Sequence, residues 1–209
     1  MPKIINANKY YFLYKQQYSL IAGVDEVGRG PLVGNVVAAA VILPQNYSIR
    51  FLTDSKLLTD AKRKLAYGDI TQQALAYAIG YADHHEIDQV NILQASLNAM
   101  CRAVQNLAIQ AQFVLIDGNK IPKDLSLPAH CVIGGDATED VISAASIIAK
   151  VTRDQQMYEL DQKHPEYGFA QHKGYATKRH LQALKSYGPV PEHRLSFAPV
   201  RQSALIAEI

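Results

Sequence analysis

Three short apolar runs in this sequence each stop at carboxylates beside glycine. Leu20 to Val24 runs into Asp25-Glu26, Phe113 to Ile116 into Asp117-Gly118, and Val132-Ile133 into Gly134-Gly135-Asp136. Runs this short, rich in Val, Ile and Phe, suit buried strands better than core helices. Val33 to Leu43 is a longer Val/Ala/Ile run behind a glycine-rich turn, which predicts two strands joined by a short turn. Leu75, Tyr77, Ile79 and Tyr81 alternate with small residues, the period-2 mark of another strand, and Cys131 to Ile133 is a brief further one. Helical patterns cover Thr59 to about Thr71, with Thr59 or Asp60 as N-cap, then Val90 to Ile109, Val141 to about Leu160, and Thr177 to Ser186. Ser143, Ala144, Ala145, Ser146 and Ala149 make the early part of the third pattern small enough to pack closely against a neighbour. Strands come first, then strand and helix mixed, then helices. This order predicts one α/β domain over residues 1–209, with a mixed central β-sheet flanked by helices and a helical C-terminal part. At 209 residues and 48% apolar composition, the chain can bury a sizeable core without staples.

In an open α/β sheet, ligands bind in the crevice beyond the carboxyl ends of the strands. Asp25, Glu26, Asp117 and Asp136 all stand there. Neighbours on a strand point to opposite faces, so one of Asp25 and Glu26 must bend round or the strand must be ending. Clustered carboxylates raise one another's pKa unless a cation sits among them. Oxygen-only ligands suit Mg²⁺ or Mn²⁺ rather than zinc, and two such ions can serve phosphodiester cleavage. Each acid also has a plain structural alternative. Asp136 with Glu139 matches a capping box, Asp117-Gly118 is ordinary turn chemistry, and Asp25 reads as a surface acid at a strand end.

The formal net charge of +2 hides an asymmetry. Residues 1–149 hold 12 Lys+Arg against 13 Asp+Glu, while residues 150–201 hold 9 against 5. Gln171 to Lys185 carries four Lys/Arg, two histidines and no acid, a local basic surface suited to a polyanion. In it, Tyr175 lies between Lys173 and Lys178, where a ring can stack on a sugar or base while lysines hold phosphates. His172 and His180 are further candidates for phosphate contact. Gly28-Arg29-Gly30-Pro31 frees the backbone for a sharp turn whose N–H groups can approach a ligand, although its spacing is not that of a dinucleotide fingerprint. Two cysteines, Cys101 and Cys131, are too few for a disulfide scaffold and fit a reducing compartment. No apolar stretch approaches the ~20 residues of a membrane span. Met1 to Leu20 lacks the apolar core of a secretory signal, so the cytoplasm is the expected location and a monomer the default state.

Taken together, these segments resemble a known family. Gly23-Val24-Asp25-Glu26-Val27-Gly28-Arg29-Gly30-Pro31-Leu32-Val33-Gly34 is similar to the opening motif of ribonuclease HII, the bacterial type 2 ribonuclease H. Asp54-Ser55-Lys56, Asn91 to Ala95, Ile116-Asp117-Gly118-Asn119, Gly135-Asp136, Ala144 to Asp154, Tyr167-Gly168-Phe169, Lys173-Gly174-Tyr175 and Arg194 to Val200 follow in family order, so the likeness spans about residues 20–201. The resemblance implies a ribonuclease H-like fold. It also implies endonucleolytic cutting of the RNA strand in RNA–DNA hybrids, and cutting 5′ to single ribonucleotides in duplex DNA. By position it assigns Asp25, Glu26, Asp117 and Asp136 to catalysis and to two Mg²⁺ or Mn²⁺ ions. Gly28, Arg29 and Gly30 fall at the ribonucleotide's 2′-hydroxyl and Tyr175 at the junction sugar. As a separate physical expectation, Lys173 with the other cations of the basic segment, and Lys56, position the duplex without reading sequence. Asn35 stands where the family often has Pro, Ser143 where Ala is usual, and Ala176 where Gly is frequent. From the residues alone, two other classes compete: a non-catalytic nucleic-acid-binding module, and a different phosphoryl-transfer enzyme on the same fold. The tail, Gln202 to Ile209, lacks the aromatic pair of a clamp-binding peptide.

Overall fold

A computed structural model describes residues 8–207; residues 1–7 of the N-terminal segment and 208–209 of the tail lie outside the described part. Five strands, β1 (Ile21–Val27), β2 (Val36–Ile42), β3 (Ala76–Ala82), β4 (Phe113–Asp117) and β5 (Ala129–Val132), form one mixed sheet in the order β3-β2-β1-β4-β5. β1, β2 and β3 pair antiparallel, while β1, β4 and β5 run parallel. Eight helices accompany them among the described residues: α1 (Lys9–Lys15), α2 (Asp60–Gln73), α3 (His84–Val90), α4 (Ile92–Gln105), α5 (Asp140–Lys163), α6 (Phe169–His172), α7 (Lys178–Tyr187) and α8 (Ala198–Ala207). The expected mixed sheet with a helical C-terminal part is the observed one.

Strand alternation divides the core. Ala22, Val24, Ala38, Ala40 and Val114 face α4, whose Ala95, Ala99, Ala103 and Val104 cover that side. Ile21, Ala39, Val41 and Leu115 face α5 and α2. The small residues early in α5 are explained by Gly23, since a Cβ there would sit 2.1 Å from the Val141 carbonyl carbon. The α5 backbone therefore lies directly on β1. A third cluster, with Leu32, Val33, Met157, Tyr167, Phe169 and Leu184, ties the C-terminal helices to the loop after β1.

Several boundaries differ from the sequence expectation. The stretch Val90 to Ile109 is broken, because Asn91 takes φ +71° and caps α4 through its Oδ1. β3 shows the expected alternation with the small side inward: Gly80 and Ala82 are buried while Tyr77 and Tyr81 are exposed. α4 comes so close that a Cβ on Gly80 would lie 2.2 Å from the Ala99 carbonyl oxygen. Among the described residues no helix is long and apolar enough to cross a membrane. Cys101 and Cys131 are unpaired.

Candidate active site

The four acids come from the carboxyl ends of the three parallel strands. Val24 is paired with Ile116 and Asp117 with Val132, so Asp25, Asp117 and the turn after β5 lie side by side at one edge. β1 neither bends nor stops at its paired acids. It continues in register to Val27, so Asp25 and Glu26 project to opposite faces. Asp25 is 5% exposed and faces α5, with the Glu26 main-chain N–H donating to its Oδ1 at 2.7 Å. Close by, the Ser146 and Ser55 hydroxyls share a hydrogen bond at 2.9 Å. Glu26 pairs with Arg29 at 3.2 Å.

Asp136 is not a helix cap. It sits in a single 3₁₀ turn, Gly135–Ala137, and α5 begins only at Asp140. The predicted capping partner, Glu139, instead accepts the main-chain N–H groups of Tyr10 and Tyr11 at 3.0 Å each, anchoring α1, a helix the sequence pattern does not announce. Asp117 organises the Asp136 turn by accepting from the Gly135 and Asp136 N–H groups at 2.7 and 3.3 Å. Ser143, one of the three departures from the family pattern, donates to the Asp136 carbonyl at 2.6 Å. Lys56 reaches the Asp136 carboxylate at 2.8 Å from a stem that is largely exposed.

Burial, and then the charges of Glu26 and Asp117, push the Asp25 carboxyl well above the usual carboxylate range. Burial also raises Glu26, against the pull of Arg29, and raises Asp117 with the help of Asp136. The hydrogen bond to Asp136 raises Lys56. Mutual repulsion of this kind is relieved by a cation, and an all-carboxylate set matches Mg²⁺ or Mn²⁺. The donor chemistry therefore fits a divalent metal. As placed, no three His, Cys, Asp or Glu side chains among the described residues converge into a finished ligand group. Lys56 supplies the positive charge at Asp136.

Beside the acids, the Gly28–Gly30 turn meets the loop of Tyr175. A Cβ on Gly30 would lie 3.2 Å from the Tyr175 ring, and Leu32 N–H donates to the Gly174 carbonyl at 2.8 Å. Two arginines that the sequence reading counted only as basic charge hold this junction. Arg194 donates to the carbonyls of Gly28, Arg29, Pro31 and Gly34 at 2.7–3.1 Å. Arg153 donates to the Asn35, Lys173 and Val33 carbonyls at 3.1–3.3 Å. Both are buried, and burial lowers their guanidinium pKa values to about 9 and about 10, which leaves them charged at neutral pH. Their place in motifs shared with the family was the only sequence signal, because nothing local distinguishes a buried arginine from a solvated one.

The C-terminal basic segment is accordingly less basic on its surface than the count suggests. Lys173 turns its ammonium onto the Tyr158 ring, 3.9 Å from the centroid, and onto the Ala170 carbonyl. His180 is no phosphate contact. It is completely buried and bonded within the protein, and His172 accepts from the Gly174 N–H while bonding the Tyr167 carbonyl. Lys178, Arg179 and Lys185 remain exposed on or at the start of α7.

The Ribonuclease HII family profile matches residues 22–200. The chain belongs to the ribonuclease HII family. Ribonuclease HII of Acinetobacter baylyi is 58% identical over 184 residues, covering 88% of this chain and 97% of its own. Ribonuclease HII of Aliivibrio fischeri is 56% identical over 191 residues, covering 91% and 92%. The crystal structure of ribonuclease H2 from Pyrococcus horikoshii OT3 superposes with a TM-score of 0.75 at 27% identity, covering 90% of this chain and 99% of that one. This member of the family is a ribonuclease H hydrolase, which sets aside the non-catalytic binding module.

Proposed function

We propose that this enzyme cuts the RNA strand of RNA–DNA hybrids and cuts 5′ to single ribonucleotides in duplex DNA, leaving 3′-hydroxyl and 5′-phosphate ends. Its biological work would be removal of misincorporated ribonucleotides, as a one-domain monomer in the cytoplasm. The observation that carries the reading is the contact of Tyr175 with the Gly28–Gly30 turn beside the acid-bearing strand ends. Only the 2′-hydroxyl distinguishes RNA from DNA at a given site. A turn with glycine on both sides of Arg29 leaves main-chain groups open to that hydroxyl, and the half-exposed Tyr175 ring stands next to it for the neighbouring sugar. Asp25, Glu26, Asp117 and Asp136 would hold the two Mg²⁺ or Mn²⁺ ions. Such ions, when bound, lower the pKa of an attacking water and stabilise the departing oxygen. Lys56 neutralises Asp136 until the substrate assembly forms, and Lys178 and Arg179 meet phosphates without reading sequence. The main-chain carbonyl of Lys173, held by Arg153, keeps the Tyr175 loop in place and is that residue's contribution to substrate binding.

The deciding assay compares a duplex carrying one ribonucleotide, an RNA–DNA hybrid and an all-DNA duplex, with the cut mapped to the nucleotide. Cutting of the first two, with chelation stopping it, is expected. Cutting of the all-DNA duplex at a similar rate refutes the substrate reading. Asp136→Asn should lose at least about a hundredfold in kcat at unchanged melting temperature. Near wild-type rates with saturating Mg²⁺ would remove Asp136 from the site.

A further inference from the structure

His180 and His193 are both fully buried and neither touches the acids, yet their Nε2 atoms lie 2.9 Å apart. Of two facing imidazole nitrogens, one must donate and the other accept. The surrounding main chain decides which. Val190 N–H donates to His193 Nδ1 at 2.9 Å, a closer approach than the 3.3 Å between that nitrogen and the Val190 carbonyl oxygen, so Nδ1 accepts and the His193 proton is on Nε2. His180 therefore accepts at Nε2 and carries its proton on Nδ1, 3.0 Å from the Tyr175 carbonyl oxygen. On the other side of the same tyrosine, Gly174 N–H donates to His172 Nδ1 at 3.2 Å, and the His172 ring stacks on that of His180 at 4.7 Å. Tyr175 is 47% exposed, so the backbone that carries it is its firmest anchor to the rest of the protein.

We propose that His193 and His180 form a buried relay of positioning residues: His193 fixes the tautomer of His180, and His180 fixes the backbone that aims the Tyr175 ring over the Gly28–Gly30 turn. The proposal rests on the reading of Tyr175 as the group facing the substrate sugar. Two substitutions at one position separate the halves of the relay. Asparagine keeps a donor near the Nδ1 position, whereas glutamine reaches His193 and loses the donor to Tyr175.

The test is kcat/KM on the single-ribonucleotide duplex. His180→Gln should lose about tenfold and His180→Asn less than about threefold, while His180→Gln placed in a Tyr175→Ala background should cost less than about twofold further. Equal losses from His180→Gln in both backgrounds would overturn the relay while leaving the role of Tyr175 intact. If Tyr175→Ala alone leaves cleavage unchanged, the substrate reading of Tyr175 fails, and the relay with it. The wild-type enzyme supplies a readout that needs no variant to fold. Imidazole ¹⁵N spectra at pH 7 should show His180 protonated at Nδ1 and His193 at Nε2, and the opposite tautomers would reject the proposal.

Discussion

Alanine at Gly28 and at Gly30 should damage the enzyme in different ways, although the two glycines stand two residues apart. Gly28 has φ +98°, and a Cβ there would lie 2.2 Å from Arg153 Nε. An L side chain at such a φ costs of order 1–3 kcal/mol. Moving the buried Arg153 away breaks its 3.1 Å bond to the Asn35 carbonyl, and a bond to a charged group is worth about 1.5–3 kcal/mol. Together Gly28→Ala should cost about 2.5–6 kcal/mol, against a total stability of roughly 5–15 kcal/mol. For a chain of this size that is a fall of about 5–24 °C in melting temperature. Gly30→Ala places its Cβ 3.2 Å from a ring that has solvent to move into, so its stability should change by less than about 0.5 kcal/mol. Its cost falls on cleavage, because a small misplacement of a positioning group can cost up to about a hundredfold in rate. Thermal unfolding by circular dichroism, beside cleavage of the single-ribonucleotide duplex, measures both. If Gly28→Ala melts within about 2 °C of wild type, or if Gly30→Ala melts below Gly28→Ala, the account of this turn is wrong.

Two further outcomes follow from buried cations and buried neutral rings. Burial lowers the His180 and His193 pKa values to about 4 and about 3, with His172 adding to the first and His180, then His164 and His84, to the second. Because these folded values lie below the ordinary ~6.5, the stability they confer is complete above pH ~6.5 and is lost as pH falls toward 4, at up to about 1.4 kcal/mol per pH unit per histidine. Denaturant midpoints that stay flat from pH 6.5 to 4.5 would contradict this. Arg194→Lys replaces a planar fork by a point charge and strands at least two buried carbonyls, at about 1–3 kcal/mol each, so melting should fall by about 4–24 °C. A melting temperature equal to wild type would show that the carbonyl contacts carry little.

The strands and the four acids were legible in the sequence, because an apolar run ending at a carboxylate is a local pattern and strand ends are where such a sheet exposes side chains. The breaks around Asn91 and the helices α1 and α8 were less so, since they depend on docking: α1 has no buried residue of its own and is held by Glu139 from 128 and 129 positions away. Charge counting misplaced Arg153, Arg194 and His180, because burial depends on what packs around a residue, and a sequence lists only its chain neighbours. The covalent order of residues thus determined which groups could become strands, turns and acids. Folding alone decided that the glycine turn would meet Tyr175, that two guanidinium groups would be spent on carbonyls 20 to 166 residues distant, and that Asp136 would bind Lys56 instead of capping α5. The physical reason is that local propensity acts over a few residues, whereas desolvation and hydrogen-bond satisfaction are settled only when distant segments close around a group and exclude water from it.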